Sequence, residues 1–262
     1  MSIKSKVLAV AATLTILGGV GTAGALTAGT ASAATPSCGI SCADVFSQQL
    51  GTHLTPNYTV DVLKQGEKTG QPIILFRTAN FDPALDFTAA FQGTVADFFA
   101  AGLVGPAVAL HYGCVPVSAG GAFPSCIAPA QVNDYAFEME FAPFGVDSGL
   151  CVGVASTAFA GEGVTLQQCG SSARTVWIID QADSSTGRLA PLLNEYVPLI
   201  NGSDTNFSHP FVLTYPANSV PTDKPRAQFT VQNLTGFSNP ATGDPEGVES
   251  NQMFGADLGV LK

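Results

Sequence analysis

The stretch Leu150-Cys-Val-Gly-Val-Ala155, followed by Val164-Thr-Leu-Gln-Gln-Cys169 and Thr175-Val-Trp-Ile-Ile-Asp180, decides the fold. Three short runs rich in β-formers are separated by turn residues, and the chain's one tryptophan closes the third. Looser copies lie on both sides. Val60-Asp-Val-Leu63 sets against Cys151-Val-Gly-Val154, and Gly70-Gln-Pro-Ile-Ile-Leu75 against Gly161-Glu-Gly-Val-Thr-Leu166. Leu85-Asp-Phe87 then answers Thr175-Val-Trp177. A weaker third copy ends the chain at Asn251-Gln-Met-Phe254 and Gly259-Val-Leu261. One such module cannot bury its own apolar face, so three copies around a shared core are expected.

The rest of the chain carries the same punctuation. Residues 58–63, 72–76, 85–91, 94–99, 211–215 and 226–231 read as strands. Turns are expected at 66–70, 80–83 and 92–93, and residues 43–50 read as a short helix. Residues 100–127 are Gly-, Ala- and Pro-rich and read as an extended insertion. Tyr135 to Phe144 alternates, with Phe137, Met139 and Phe141 on one face and Glu138 and Glu140 on the other, which predicts one buried and one solvated face. Helical periodicity is scarce and turn residues are many, so the class is all-β. A β-sandwich is the alternative architecture.

The N-terminus reads as a secretory signal peptide over residues 1–33. Lys4 and Lys6 precede an apolar run over 7–20, and Ala31-Ser-Ala33 is a small-x-small cleavage signal in a bacterial style. Residues 34–57 form a polar lead-in with a Cys loop, and 58–262 a single β domain with an insertion near 100–134. The formal net charge is −10, and loss of the leader's two lysines makes the rest more acidic still. Such a surface repels nucleic acid and anionic membranes. A secreted, extracellular monomer is expected, whose partner is a carbohydrate or another extracellular protein.

All six cysteines follow the leader, and an even count in an exported chain reads as disulfides. Their grouping favours Cys38–Cys42, Cys114–Cys126 and Cys151–Cys169, each worth about 2–4 kcal/mol on the chain-entropy account. Zinc is the competing reading of Cys38-x-x-x-Cys42, but no second Cys/His pair stands at ligand spacing. No metal or cofactor is expected. Sequons at Asn57, Asn201, Asn206 and Asn233 read as exposed loops.

Gly161-Glu-Gly-Val-Thr-Leu-Gln-Gln-Cys169 followed by Val176-Trp177 resembles the ricin-B-type β-trefoil lectins. Asn251-Gln-Met-Phe254 keeps that family's Asn-Gln but has Phe for Trp, and Phe91-Gln-Gly-Thr-Val95 stands where its Asp-Gly-Thr-Ile turn belongs. The matching stretches are degenerate and cover part of the chain. The resemblance implies a β-trefoil, a six-stranded barrel capped by three hairpins with pseudo-threefold repeats and long loop insertions. It implies core roles for Phe87, Trp177 and Phe254 and a bridge between Cys151 and Cys169. It also implies a sugar pocket in each repeat, made of a carboxylate, a stacking ring and an amide. In the first repeat Asp61 and Phe76 fall at the first two positions and the amide is missing. In the second, Gly153 and Gln167 replace them, and the third does not align at these positions.

An enzyme needs a nucleophile–base pair or facing acids. His53, His111 and His209 sit in no hydrolase motif, and no Gly-x-Ser-x-Gly occurs. Paired acids of a glycosidase face each other across a cleft, whereas Glu138 and Glu140 are two apart on one strand. The sequence therefore points to a non-enzymatic lectin-like protein that binds carbohydrate weakly through its first repeat. A secreted protein-binding or protease-inhibitor scaffold is the alternative, and an extracellular hydrolase stands behind both.

Overall fold

A computed structural model describes residues 44–48, 58–77, 87–112, 114–115, 125–126, 135–179, 196–205, 209–216, 227–238 and 245–257. The leader, Cys38 and Cys42, the turn at 80–83 and the run 259–261 lie outside these residues. The first repeat comprises β1 (Asp44–Ser47), β2 (Tyr58–Val62), β3 (Ile73–Arg77) and β4 (Phe87–Thr94). An insertion follows, with α1 (Val95–Ala100), α2 (Pro106–His111), β5 (Cys114–Val115) and β6 (Ser125–Cys126). The second repeat is β7 (Tyr135–Phe141), β8 (Leu150–Val154), β9 (Val164–Gln168) and β10 (Val176–Ile179). The third is β11 (Leu199–Asn201), β12 (Phe211–Thr214) and β13 (Thr230–Asn233), then a small pair β14 (Phe237–Ser238) and β15 (Pro245–Glu246), and last β16 (Phe254–Asp257).

The register shows the threefold repeat directly. Each repeat enters its hairpin through one matched pair: Phe46 opposite Thr59, Glu140 opposite Cys151, and Ile200 opposite Val212. The hairpins β2–β3, β8–β9 and β12–β13 are each antiparallel. They bond to one another in a closed cycle: Pro72 with Thr165, Gly163 with Thr230, and Gln228 back to Ile74. The hydrogen bonds follow the same cycle, Gly70 and Gly161 donating their N–H groups to Leu166 and Val231 of the next hairpin. Both glycines have positive φ, a backbone state that side chains rarely adopt. Below this cap, β4 pairs with β7, β7 with β10, β10 with β11 and β16 with β1, while Val197 before β11 meets Phe254. This is a β-trefoil.

One buried cluster fills its axis in layers of three. Val60, Val152 and Leu213 make one layer, and Val62, Val154 and Tyr215 the next. Leu75, Leu166 and Val231 stand opposite the first of these, and Ile73, Val164 and Phe229 against the second. Phe87, Trp177 and Phe254 form the aromatic layer. Each faces the matched residue of the following barrel strand: Phe141, Asn201 and Ser47. Each buried aliphatic or aromatic side chain contributes about 1.5–3 kcal/mol by transfer alone. These matches shift one sequence alignment by a residue: Val60 corresponds to Val152, not Cys151.

Several local expectations are corrected. Residues 44–47 form barrel strand β1, not a helix, because Phe46 and Val45 are buried in the sheet that β16 and β2 complete. No turn interrupts 92–93; β4 runs through Gly93 to Thr94. Residues 95–100 are α1 instead of a strand. Thr94 caps it, its hydroxyl accepting from Asp97 N–H, while the Asp97 carboxylate accepts from Thr94 N–H. Those bonds from Thr94, backbone first, hold the Asp97 carboxyl below its usual range. Through Tyr112 the insertion is helical and packed down, not extended. Phe98, Val108, Ala109 and Tyr112 form a second core with Val176, Ile178, Ile200 and Val212 on the barrel's outer side. Cys114 is disulfide-bonded and stands opposite Cys126 in the β5–β6 ladder. Cys151 and Cys169 are bonded to each other. Asn201 is buried, not a loop residue: its amide donates to Arg174 O and accepts from Ser203 N–H and Oγ.

Trp177 tests the equivalence of the aromatic layer, since its indole N–H donates to Val152 O at 2.9 Å. Trp177→Phe should keep the fold and cost about 1–3 kcal/mol by stranding that carbonyl. Trp177→Ala should cost about 3–5 kcal/mol. Urea unfolding followed by circular dichroism measures both, and equal losses would contradict the equivalence.

Candidate functional site

In the third repeat, β12, β13 and the short 3-10 turn Ser250–Gln252 enclose a cleft of about 450 Å³. Thr214 stands on β12, and Thr230, Gln232 and Asn233 on β13. Pro216, Thr235, Glu249, Asn251 and Gln252 complete the lining. Gln252 is the frame. Its Oε1 accepts from Thr235 N–H at 2.8 Å and Thr235 Oγ at 2.9 Å. Its Nε2 donates to Asn233 O at 2.9 Å and Thr214 Oγ at 3.2 Å. Two acceptor and two donor sites are thereby used, so this amide fixes the walls and leaves nothing for a ligand.

The neighbouring amide is half-used. Asn251 is 5% exposed, and its Nδ2 donates to Tyr215 O at 2.7 Å. Its buried Oδ1 has no hydrogen-bond partner among the described residues. A buried acceptor left empty costs about 1–3 kcal/mol. Gln232 donates to Thr230 Oγ at 3.3 Å through Nε2, leaving Oε1. Glu249 is exposed at the rim and is the one charged lining residue. Chemically the cleft is a set of amides and hydroxyls with spare acceptors and no aromatic wall.

The three repeats differ at this place. Thr214 corresponds to Asp61 in the first repeat and Gly153 in the second, and Gln232 to Phe76 and Gln167. Asp61 and Phe76 share the hairpin face turned away from the core, as their two-residue pairing offset dictates. Asp61 is 1% exposed and Phe76 half-buried, so the carboxylate does not lie where a sugar would meet it. In the second repeat the space is closed by backbone: a Cβ on Gly153 would lie 2.6 Å from Arg174 O and 3.0 Å from Thr175 Cα. The strand sequence does not distinguish the open third repeat from the closed second one. Thr230-Val-Gln232 repeats Thr165-Leu-Gln167, and both glutamines bond the threonine two residues back.

The acids expected to face water are buried instead. Glu138 is 1% exposed and Glu140 8%. Glu138 accepts from Gly170 N–H at 3.0 Å and from the Thr175 hydroxyl. Glu140 accepts from Gly149 N–H at 2.6 Å. The alternation is real, but both faces of β7 are covered. The two carboxylates hold the ends of the disulfide-stapled hairpin β8–β9, the work of a clamp and not of facing catalytic acids. His111, on α2, has its pKa lowered by burial.

No family model matches the sequence, and no curated protein matches it. Among solved structures, the crystal structure of the designed threefold-symmetric protein ThreeFoil matches at 10% identity and TM-score 0.43, over 82% of this chain and 96% of that one.

Burial raises the Glu140 pKa above 4.5; the Gly149 hydrogen bond opposes this, and Asp147 and Glu138 add to it. A raised folded pKa means the folded state holds the proton longer than the unfolded one. Stability therefore falls as pH rises from 4.5 through the folded value. Glu140→Gln should flatten that fall while keeping an acceptor for Gly149. Melting temperatures measured from about pH 4 to pH 8, around the ordinary carboxylate value and above it, check this; parallel curves would remove the claim.

Proposed function

We propose that the protein is a secreted, non-enzymatic carbohydrate-binding protein that uses the third-repeat cleft. One observation carries the reading: a polar cleft between a hairpin and its return turn is lined by the amides of Gln232 and Asn233 and the hydroxyls of Thr230 and Thr235, none of them buried. Sugar hydroxyls both donate and accept, and the amides of Gln232 and Asn233 can read them in both senses. No ring lines the cleft, so the stacking that strengthens many sugar sites is absent from it. Affinity for a single sugar is accordingly weak, at a Kd of about 1 mM, near −4 kcal/mol. The reading places binding in the third repeat because Thr214 opens a cleft where Asp61 is covered and Gly153 is walled in.

Pull-down on insoluble polysaccharides, followed by titration with soluble oligosaccharides, tests it. The double variant Gln232→Ala, Asn233→Ala should weaken binding at least about fivefold, the loss of one or two hydrogen bonds, at unchanged melting temperature. Asp61→Asn should leave binding unchanged. The opposite pattern would return the site to the first repeat, and no binding to any polysaccharide would end the lectin reading.

A further inference from the structure

We infer that the cleft prefers a sugar bearing a protonated amine over its neutral or acidic analogue, an inference that rests on the carbohydrate reading above. Its lining contains no Lys, Arg or His. Glu249 supplies the single formal charge, and its carboxylate makes no hydrogen bond or ion pair with a described residue. Gln232 Oε1, left spare by the bond from its Nε2 to Thr230, adds an acceptor of the same sign of partial charge. Several of the donors nearby are engaged: Gln252 Nε2 on Asn233 O and Thr214 Oγ, Asn251 Nδ2 on Tyr215 O, and Gln232 Nε2 on Thr230 Oγ. What the cleft still offers includes acceptors beside a negative charge, with no positive charge to oppose it. An ammonium group brings three donors and a positive charge and satisfies both. A carboxylate or sulfate on the sugar brings acceptors to acceptors, against a protein of net charge −10. Glu249 would be the residue that sets this preference.

Position explains why the carboxylate can do so. Glu249 directly precedes the turn 250–252, and its own N–H donates to Thr235 Oγ at 3.0 Å. That bond ties its backbone to the same threonine that Gln252 holds. The side chain is thus anchored at its base and open at its tip, at the rim of the pocket whose inner part carries Asn251.

Isothermal titration with three tetrasaccharides tests the preference: glucosamine, N-acetylglucosamine and galacturonate. The glucosamine tetramer should bind about five- to tenfold more tightly than the N-acetyl form at low salt and acidic pH, the order expected for a charge-assisted bond at a rim. The galacturonate tetramer should bind more weakly than either. Glu249→Gln should bring the glucosamine to N-acetylglucosamine ratio to about one, whereas Glu67→Gln, an acid removed from the β2–β3 turn, should preserve it. Equal affinities, a ratio unchanged by Glu249→Gln, or an equal fall with Glu67→Gln would overturn the preference while leaving carbohydrate binding intact. Absence of binding by all three would overturn the preference together with the reading it rests on.

Discussion

The structure depends on a closed cycle of backbone hydrogen bonds among three hairpins. Pro72, Gly163 and Gln228 occupy one place in the cycle, and Thr165, Thr230 and Ile74 the place each one faces. Because the cycle closes, a hairpin cannot slide by one residue without unpairing itself from both neighbours. A slip by one would also turn the core face of that hairpin outward, since side chains alternate along a strand. The cap therefore fixes register for the strands below it, and the layers of three follow: Val62, Val154 and Tyr215 lie at one height because their hairpins are locked at one height. Closure also leaves the capping hairpins bonded to one another, which suits a chain whose described elements are nearly all short strands.

Within that frame the repeats are free to diverge wherever a side chain points away from the axis. The second repeat shows how far this goes. At the position where the third has Ile200 and the first Phe46, it has Glu140, and two residues back Glu138. Both carboxylates are buried, and both receive N–H groups at the ends of β8–β9. The Cys151–Cys169 bridge joins the same two strands. An apolar contact has been exchanged for directed hydrogen bonds, and burial of Glu140 sets the cost that rising pH exposes. The insertion makes a parallel use of the outer surface. Phe98 and Tyr112 cover Val176, Ile178 and Ile200, so strands that a sequence pattern would leave half in water are buried on both sides.

How much of this the sequence disclosed follows from the same geometry. The aromatic layer was readable because Phe87, Trp177 and Phe254 obey a constraint common to all repeats, a large ring at the barrel axis. Gly70 and Gly161 were readable because both need the same unusual backbone. The strand-to-helix change at Thr94 was hidden, since the strand propensity of Val95, Phe98 and Phe99 competes with a capping box that only the next three residues complete. The burial of Glu138 and Glu140 could not be read from alternation, because alternation reports that two faces differ and not what lies over them. β1 is hidden in the sequence for a related reason: Val45 and Phe46 are buried in a sheet with β16, which comes from the far end of the chain.

The candidate site sits at the boundary between these two regimes. The position shared by Asp61, Gly153 and Thr214 faces away from the axis, so the cap does not dictate its side chain. It is nevertheless adjacent to the turn that leads back into the aromatic layer, and that turn decides whether a cavity exists. In the second repeat the turn Ala173–Thr175 presses its backbone into the space, and only glycine fits. In the third, Gln252 occupies the place of Thr175 and reaches across to Thr214, Asn233 and Thr235. A longer side chain bonded to three walls braces them apart where a short one lets them meet. The open pocket is thus framed by one amide whose two donor and two acceptor positions are all spent on its walls. The polar groups that the pocket keeps open are the amide's neighbours, Glu249 beside its own turn and Gln232 on the strand it braces.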